Sequence, residues 1–162
     1  ALLERRSVRY ARRSSDQRPA TDTRVVLGDS MGEMTAYYAA CDVAFTGGSL
    51  RPFGAHNLVE ACALGKPVLI GPSVYNFQEA VELGVAAGGV IHVDDIMALA
   101  NEAAAMLRHP ERARMVGDAA ARFANSGLSC GETRRAARAH WRRRRDPEPT
   151  RRLTSPIFCT SA

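Results

Sequence analysis

From residue 24 to residue 125 the apolar positions come in two alternating kinds, short continuous runs and stripes with helical spacing. Arg24-Val-Val-Leu-Gly-Asp29 is an apolar run ending in a turn pair, the pattern of a buried parallel strand. Ser30-Met-Gly-Glu33 leads from it into a helix over Met34–Cys41. Asp42-Val-Ala-Phe-Thr46 predicts a second strand, closing on Gly47-Gly48-Ser49. After a loop over 50–55, His56–Leu64 predicts a helix that Gly65 is placed to end. Pro67-Val-Leu-Ile-Gly71 predicts a third strand, 76–87 a helix, and Gly89-Val-Ile-His-Val93 a fourth strand. Asp94 or Asp95 caps a longer helix whose apolar positions Ile96, Leu99, Ala100, Ala103 and Leu107 share one face. His109-Pro110 breaks it. Glu111 to Asn125 is the last helix, with Met115, Val116, Ala119 and Phe123 on one face. Ahead of this, residues 1–13 have room for a helix end and a short strand, Val8–Ala11, and 14–23 is a polar loop.

Strands and helices that alternate with short connections predict an α/β domain, a Rossmann-like parallel sheet with helices on both faces. In such sheets ligands bind beyond the carboxyl ends of the strands. The loops at that edge are Gly28-Asp-Ser-Met-Gly32, Gly47-Gly-Ser49 and Gly71-Pro-Ser73, each with glycine and a hydroxyl side chain. The chain therefore divides into a leading segment and loop over 1–23, a Rossmann-like domain over 24–127, and an irregular tail over 128–162.

Composition sharpens this picture in three places. Of 162 residues 46% are hydrophobic but only 6% aromatic, which predicts an Ala/Val/Leu core in one ordinary domain. No stretch approaches the roughly 20 apolar residues that span a bilayer, and no signal peptide is visible. The opening Ala-Leu-Leu-Glu-Arg-Arg reads as mid-protein sequence, so a fragment is expected. Cys41, Cys62, Cys130 and Cys159 have neither metal-ligand nor disulfide spacing. Cys41 and Cys62, inside apolar runs, are expected as small buried side chains in a reduced, cytoplasmic setting. The net charge of +5 is concentrated in arginines of the tail, where 134–152 include Arg142–Arg145 in a row. That tail predicts little ordered structure apart from a helix over Glu132–Arg144. Its arginines bind phosphate in a salt-dependent way at most. With Trp141 and Phe158 alone for stacking and no reader motif, no nucleic-acid function is expected.

Four segments carry candidate chemistry, and each has a purely structural alternative. At Ser30-Met31-Gly32-Glu33 a helix start points free N–H groups toward an anion, and Gly32 allows close approach. Ser-x-x-Glu is equally a capping box, with Ser30 as cap and Glu33 reaching back. Gly47-Gly48-Ser49 suits a phosphate or sugar, or any sharp turn. In His56-Asn57-Leu58-Val59-Glu60 the amide and carboxylate lie three apart, suited to paired hydrogen bonds to vicinal ribose hydroxyls. Helix capping by His56 or Asn57 explains that pattern as well. Asn76, in Gly71-Pro-Ser-Val-Tyr-Asn-Phe77, either meets ligand or caps the next helix. There is no Walker loop, Gly-x-Gly-x-x-Gly, nucleophile elbow, Asp-x-Asp or metal-ligand cluster, so neither a cofactor nor a metal is expected.

In order along the chain stand Gly28-Asp-Ser-Met-Gly-Glu33, Tyr38-Ala-Ala-Cys-Asp-Val-Ala-Phe45, Gly47-Gly-Ser-Leu50, Gly54-Ala-His-Asn-Leu-Val-Glu60, Gly65-Lys-Pro-Val-Leu-Ile-Gly-Pro72 and Asn76-Phe77. Together they closely resemble the C-terminal domain of bacterial 3-deoxy-D-manno-octulosonic acid (Kdo) transferases, over about residues 8–127. The resemblance implies the C-terminal half of a GT-B fold, with an active site between two Rossmann-like domains. It implies transfer of Kdo from CMP-Kdo to a lipid A precursor, in lipopolysaccharide assembly at the cytoplasmic face of the bacterial inner membrane. It implies that Met31, Gly32 and Glu33, and Asn57, Leu58, Val59 and Glu60, contact the CMP of the donor. Gly47, Gly48, Ser49 and His56 would then line its phosphate and sugar side. The catalytic base for this inverting reaction is a Glu of the N-terminal domain in that family, so Glu33, Glu60 and Glu79 are not assigned as catalytic. The chain alone is expected to bind nucleotide weakly and to transfer nothing.

Two features depart from the family. Ala55 stands where a glycine usually precedes His-Asn, and its methyl narrows the loop. The tail after Leu128 lacks the family's amphipathic C-terminal helix and reads like translation in another frame. The competing readings are a GT-B transferase using a UDP-sugar and a non-catalytic nucleotide-binding remnant.

Overall fold

The structure, a computed structural model, describes residues 2–15 and 18–126. The expectations for the tail, including its helix, lie outside these residues. A short helix α1 (Leu2–Arg5) precedes β1 (Tyr10–Arg12), a 3-10 turn (Arg13–Ser15) and β2 (Val25–Leu27). Then follow α2 (Met34–Ala40), β3 (Ala44–Phe45), α3 (Val59–Ala63), β4 (Val68–Ile70), α4 (Gln78–Ala86), β5 (Val90–His92), α5 (Ile96–Arg108) and α6 (Pro110–Asn125). The predicted alternation is present, with every strand pairing parallel.

β4 is the centre of a three-stranded sheet in the order β3-β4-β5, in register Ala44↔Val68↔Val90 and Phe45↔Leu69↔Ile91. Its three residues are all buried, as a strand covered on both faces requires. Val68 and Ile70 point into a core shared with Tyr38, Leu58, Val59, Cys62, Val81 and Phe123. Leu69 points the other way, into a smaller core with Val93, Leu99, Ala103 and Met106. Helices thus cover both faces of this sheet. Leu58, Leu69, Ile70 and Met106 are fully enclosed, each stabilising by about 1.5–3 kcal/mol relative to exposure.

The sheet differs from the expectation in one respect. β1 and β2 form a separate parallel pair, and no ladder joins it to β3. Val25, Val26 and Leu27, expected to be buried, are only half-buried, because strands flank them on one side alone.

Several element bounds are corrected, each for a local reason. α3 begins at Val59 rather than His56, because the Asn57 side chain takes the Val59 N–H (3.0 Å) and holds the chain in a turn. It ends as expected, with Gly65 N–H bonded to the Cys62 carbonyl and Lys66 N–H to that of Ala61, a Schellman closure. α4 begins at Gln78 and leaves Asn76 outside the helix. Asp95 is the cap of α5, accepting from the Ala98 N–H at 2.7 Å. The buried face of α5 is Leu99, Ala103 and Met106, while Ile96, Ala100 and Leu107 are exposed. On α6 the buried face is Gly117, Ala119, Ala120, Phe123 and Ala124, and Met115 lies in solvent. Close packing turns that helix. A Cβ on Gly117 would stand 2.2 Å from the Gly65 carbonyl oxygen, so α6 seats its small residues, not Met115, toward α3.

Candidate functional site

Three loops leave the carboxyl ends of β2, β3 and β4, and each is tied by its own polar residues. The loop after β2 is held from two sides. The Ser14 backbone N–H and hydroxyl donate to the two Asp29 carboxylate oxygens at 2.9 and 2.7 Å, and Arg12 lies 3.6 Å from the same group. Glu33 accepts from the Ser30 hydroxyl, from Tyr37 Oη at 3.3 Å and from Arg13 at 3.0 Å. These donors hold both carboxyl groups below their ordinary range. For Asp29 the main cause is the Ser14 backbone bond; for Glu33 it is the Ser30 hydroxyl. Burial pushes the Tyr37 hydroxyl the other way, up.

The capping box expected at Ser30 is therefore rearranged. α2 starts at Met34, Ser30 bonds the Glu33 side chain instead of a helix N–H, and the cap makes no side-chain bond to the helix. Between these ties Met31 is 98% exposed. Gly32 has φ +80°, and its Cα faces open space. A left-handed residue at the tip of a pinned loop leaves the loop at 31–32 exposed.

The loop after β3 is closed on the loop after β4. Ser49 is fully buried, donates to the Thr46 carbonyl at 2.6 Å and accepts from the Gly71 N–H at 2.9 Å. Ser73 N–H bonds the Ser49 carbonyl, and the Ser73 hydroxyl accepts from Gly54 N–H at 3.1 Å. Gly48 and Gly54 both have φ +79°, and a Cβ on Gly48 would lie 2.4 Å from the Gly54 oxygen. This double crossing is possible only with glycine at 48. The Ser49 hydroxyl, expected to line a phosphate loop, is occupied inside the protein. Gly47 and Gly48 are half-exposed.

Around the start of α3 the predicted residues separate by role. Leu58 and Val59 are buried in the core, so only their backbone could meet a ligand. Asn57 spends its oxygen on the Val59 N–H, leaving its NH₂ as a donor. Glu60 is half-buried and, among the described residues, its carboxylate has no hydrogen-bond or ion-pair partner. His56 is exposed, while Ala55 is buried at 3% exposure, its methyl accommodated in the core.

An open groove lies apart from these residues. A groove of about 830 Å³ is walled by Tyr75, Gln78, Val81, Glu82, Val85 and His92, and none of the expected donor contacts lines it. The exposed ring of Tyr75 forms one wall, and Gly54 must be bare to admit that ring and Asn76, whose atoms would lie 2.9 and 2.5 Å from a Cβ there. Among the described residues no group of His, Cys, Asp and Glu could hold a metal ion. Cys41 and Cys62 are buried, and burial pushes the Cys62 thiol up to about 12.

Residues 7–123 match the family described as Glycosyl transferases group 1. A 3-deoxy-D-manno-octulosonic acid transferase of Bordetella pertussis is 40% identical over 136 residues, 83% of this chain and 31% of that protein. One from Haemophilus influenzae is 38% identical over 119 residues, 73% of this chain and 28% of that protein. The chain thus spans about a third of the length of these relatives. The C-terminal CMP-Kdo binding domain of WaaA from Acinetobacter baumannii superposes with a TM-score of 0.72 at 32% identity, covering 75% of this chain and 64% of that domain. With both the strand–helix order and the sequence in agreement over most of its length, this chain belongs to the glycosyl transferases group 1 family.

Proposed function

We propose that this chain is the donor-holding domain of a Kdo transferase and binds the CMP part of CMP-Kdo. The observation that carries the reading is the 0.72 TM-score, at 32% identity, with a solved CMP-Kdo binding domain. The geometry supports specific roles. Glu60, without a hydrogen-bond or ion-pair partner among the described residues, is the acceptor for ribose hydroxyls, and the Asn57 NH₂ is a donor beside it. The bare backbone at Met31 and Gly32 meets the nucleotide, while Glu33, saturated by Ser30, Tyr37 and Arg13, holds that backbone in place. Backbone N–H groups at Gly47 and Gly48 face the phosphate. His56, exposed next to Asn57, reaches the sugar side.

The reaction is transfer of Kdo to a lipid A precursor, at the cytoplasmic face of the inner membrane. The acceptor site, the membrane contact and the general base belong to the rest of the enzyme, so this domain supplies donor binding and no proton transfer. Among the described residues no helix is long and apolar enough to cross a membrane. Calorimetric titration of the chain with CMP and UDP tests the reading. Tighter binding of CMP, by about tenfold or 1.4 kcal/mol, is expected. Preference for UDP would favour a UDP-sugar transferase, and binding of neither would overturn the reading.

A further inference from the structure

Resting on the reading of CMP as the ligand, we infer that the turn after β1 positions the donor loop, with Ser14 acting through Asp29 and Arg13 acting through Glu33. Neither Ser14 nor Arg13 is among the donor contacts; both act on affinity through the loop. Burial decides what can hold that loop. None of residues 28–33 is buried, and Met31 is 98% exposed, so no apolar anchor fixes the segment. Among the described residues the backbone of 28–32 makes no backbone–backbone hydrogen bond. Gly32, at φ +80° in open space, adds freedom of its own. A segment with neither packing nor a ladder is ordered by its side chains.

Those side-chain ties are of two kinds. Ser30, Glu33 and Tyr37 bond one another, with Tyr37 Oη 3.1 Å from Ser30 Oγ and 3.3 Å from Glu33. They join the end of the loop to its own continuation in α2. The other ties come from the turn after β1. Ser14 donates from its backbone N–H at 2.9 Å and its hydroxyl at 2.7 Å, one to each oxygen of Asp29. Arg13 donates to Glu33 at 3.0 Å. Two charge-assisted bonds to one carboxylate fix its orientation as well as its position. Asp29 stands at the start of the loop, where the Ser30–Glu33–Tyr37 cluster does not reach it, so Ser14 sets where the loop begins.

Local structure makes the link possible. β1 and β2 pair in parallel with Arg12 opposite Leu27, so their connecting segments leave the same end side by side. The 3-10 turn over Arg13–Ser15 stops β1 at that level and brings Ser14 to the loop after β2. Arg12, 3.6 Å from Asp29, and Arg13 beside Glu33 set a cation against each loop carboxylate, which lowers their repulsion of an anionic nucleotide. A loop already held in its bound position loses less freedom when the ligand arrives, so releasing it weakens binding without removing a ligand contact.

CMP titration and amide spectra of Ser14 variants test this. Ser14→Ala should bind CMP about tenfold more weakly and move the Met31 and Gly32 resonances of the free chain, while that of Leu69 in β4 stays in place. Ser14→Thr keeps a hydroxyl donor and should bind within about twofold of the unaltered chain. Asp29→Asn should cost about as much as Ser14→Ala, and the double variant no more than the worse single, because the two residues act as one pair. Arg13→Gln, at a more exposed tie, should lose about threefold. The inference is overturned if Ser14→Ala binds CMP as well as the unaltered chain, or if Ser14→Thr fails to restore binding. It is overturned too by losses that multiply to about 100-fold in the double variant, the sign of separate contacts. A Leu69 resonance that moves with those of the loop overturns it as well, since Ser14 is then a general support of the fold. If the unaltered chain binds no CMP, the donor reading fails and this inference with it. Equal binding by Ser14→Ala and the unaltered chain defeats this inference alone.

Discussion

Replacing Ser49 by alanine separates a structural tie from a ligand contact. Its hydroxyl is fully buried, donates to the Thr46 carbonyl at 2.6 Å and accepts from the Gly71 N–H at 2.9 Å. Ser49→Ala removes both bonds and strands the buried Gly71 N–H. A lost neutral bond costs about 0.5–1.5 kcal/mol, and an orphaned buried N–H about 1–3. The sum, about 2–4 kcal/mol, is large beside the 5–15 kcal/mol that holds a typical domain together. At about 4 °C per kcal/mol for a domain of this size, the melting temperature should fall by about 8–16 °C. Ser73→Ala is the control: its hydroxyl serves one half-buried bond to Gly54, and about 1 kcal/mol or less is expected. Thermal and urea unfolding read the effect, with CMP affinity measured where both proteins are folded. Affinity should stay within about twofold. An unchanged melting temperature with CMP binding lost would refute the reasoning and make Ser49 a ligand contact.

Glu60→Gln should weaken CMP binding by about 10–100-fold, the worth of a charge-assisted hydrogen bond, while leaving the melting temperature in place; titration of both proteins checks this. Gly48→Ala should destabilise by about 1–3 kcal/mol through overpacking plus left-handed strain, because its Cβ would press on the Gly54 oxygen; urea unfolding measures it. Asp29 and Glu33 both have carboxyl groups held below their ordinary range, so their ties are fully present above that range and are lost as pH falls through the lowered values. Acid titration followed by amide resonances of Ser14 and Ser30 should show the loop after β2 released before β4 exchanges, and simultaneous loss would contradict it. A thiol reagent at neutral pH should leave Cys62 unmodified in the folded chain, since burial raises it to about 12.

The alternation of elements was legible because β4 and α5 have patterns that only one environment satisfies. Val68-Leu-Ile70 is apolar on both faces, and Asp95 is a cap that no tertiary contact displaces. What was not legible came from partners far along the chain. The face of α6 is set by Gly65, about 50 residues upstream, through the approach of Gly117. The role of Ser30 is set by Tyr37 and Arg13, which convert a capping box into a side-chain cluster. Gly47-Gly-Ser49 marks the loop after β3, but the burial of Ser49 depends on Gly71, where a Cβ would stand 2.5 Å from the Ser49 carbonyl oxygen. The three-residue spacing of Asn57 and Glu60 predicts one helical turn for both. The structure separates them, one in the entry turn and one in the helix, while leaving both polar groups available.

The most direct test of donor binding is amide chemical-shift mapping of the chain with CMP. The expected result is that the largest shifts fall on Met31, Gly32, Gly47, Gly48 and Asn57–Glu60, the bare backbone at the carboxyl ends of β2 and β3 and the entry to α3. Shifts centred instead on the groove of Tyr75, Glu82 and His92, or none at saturating CMP, would contradict it.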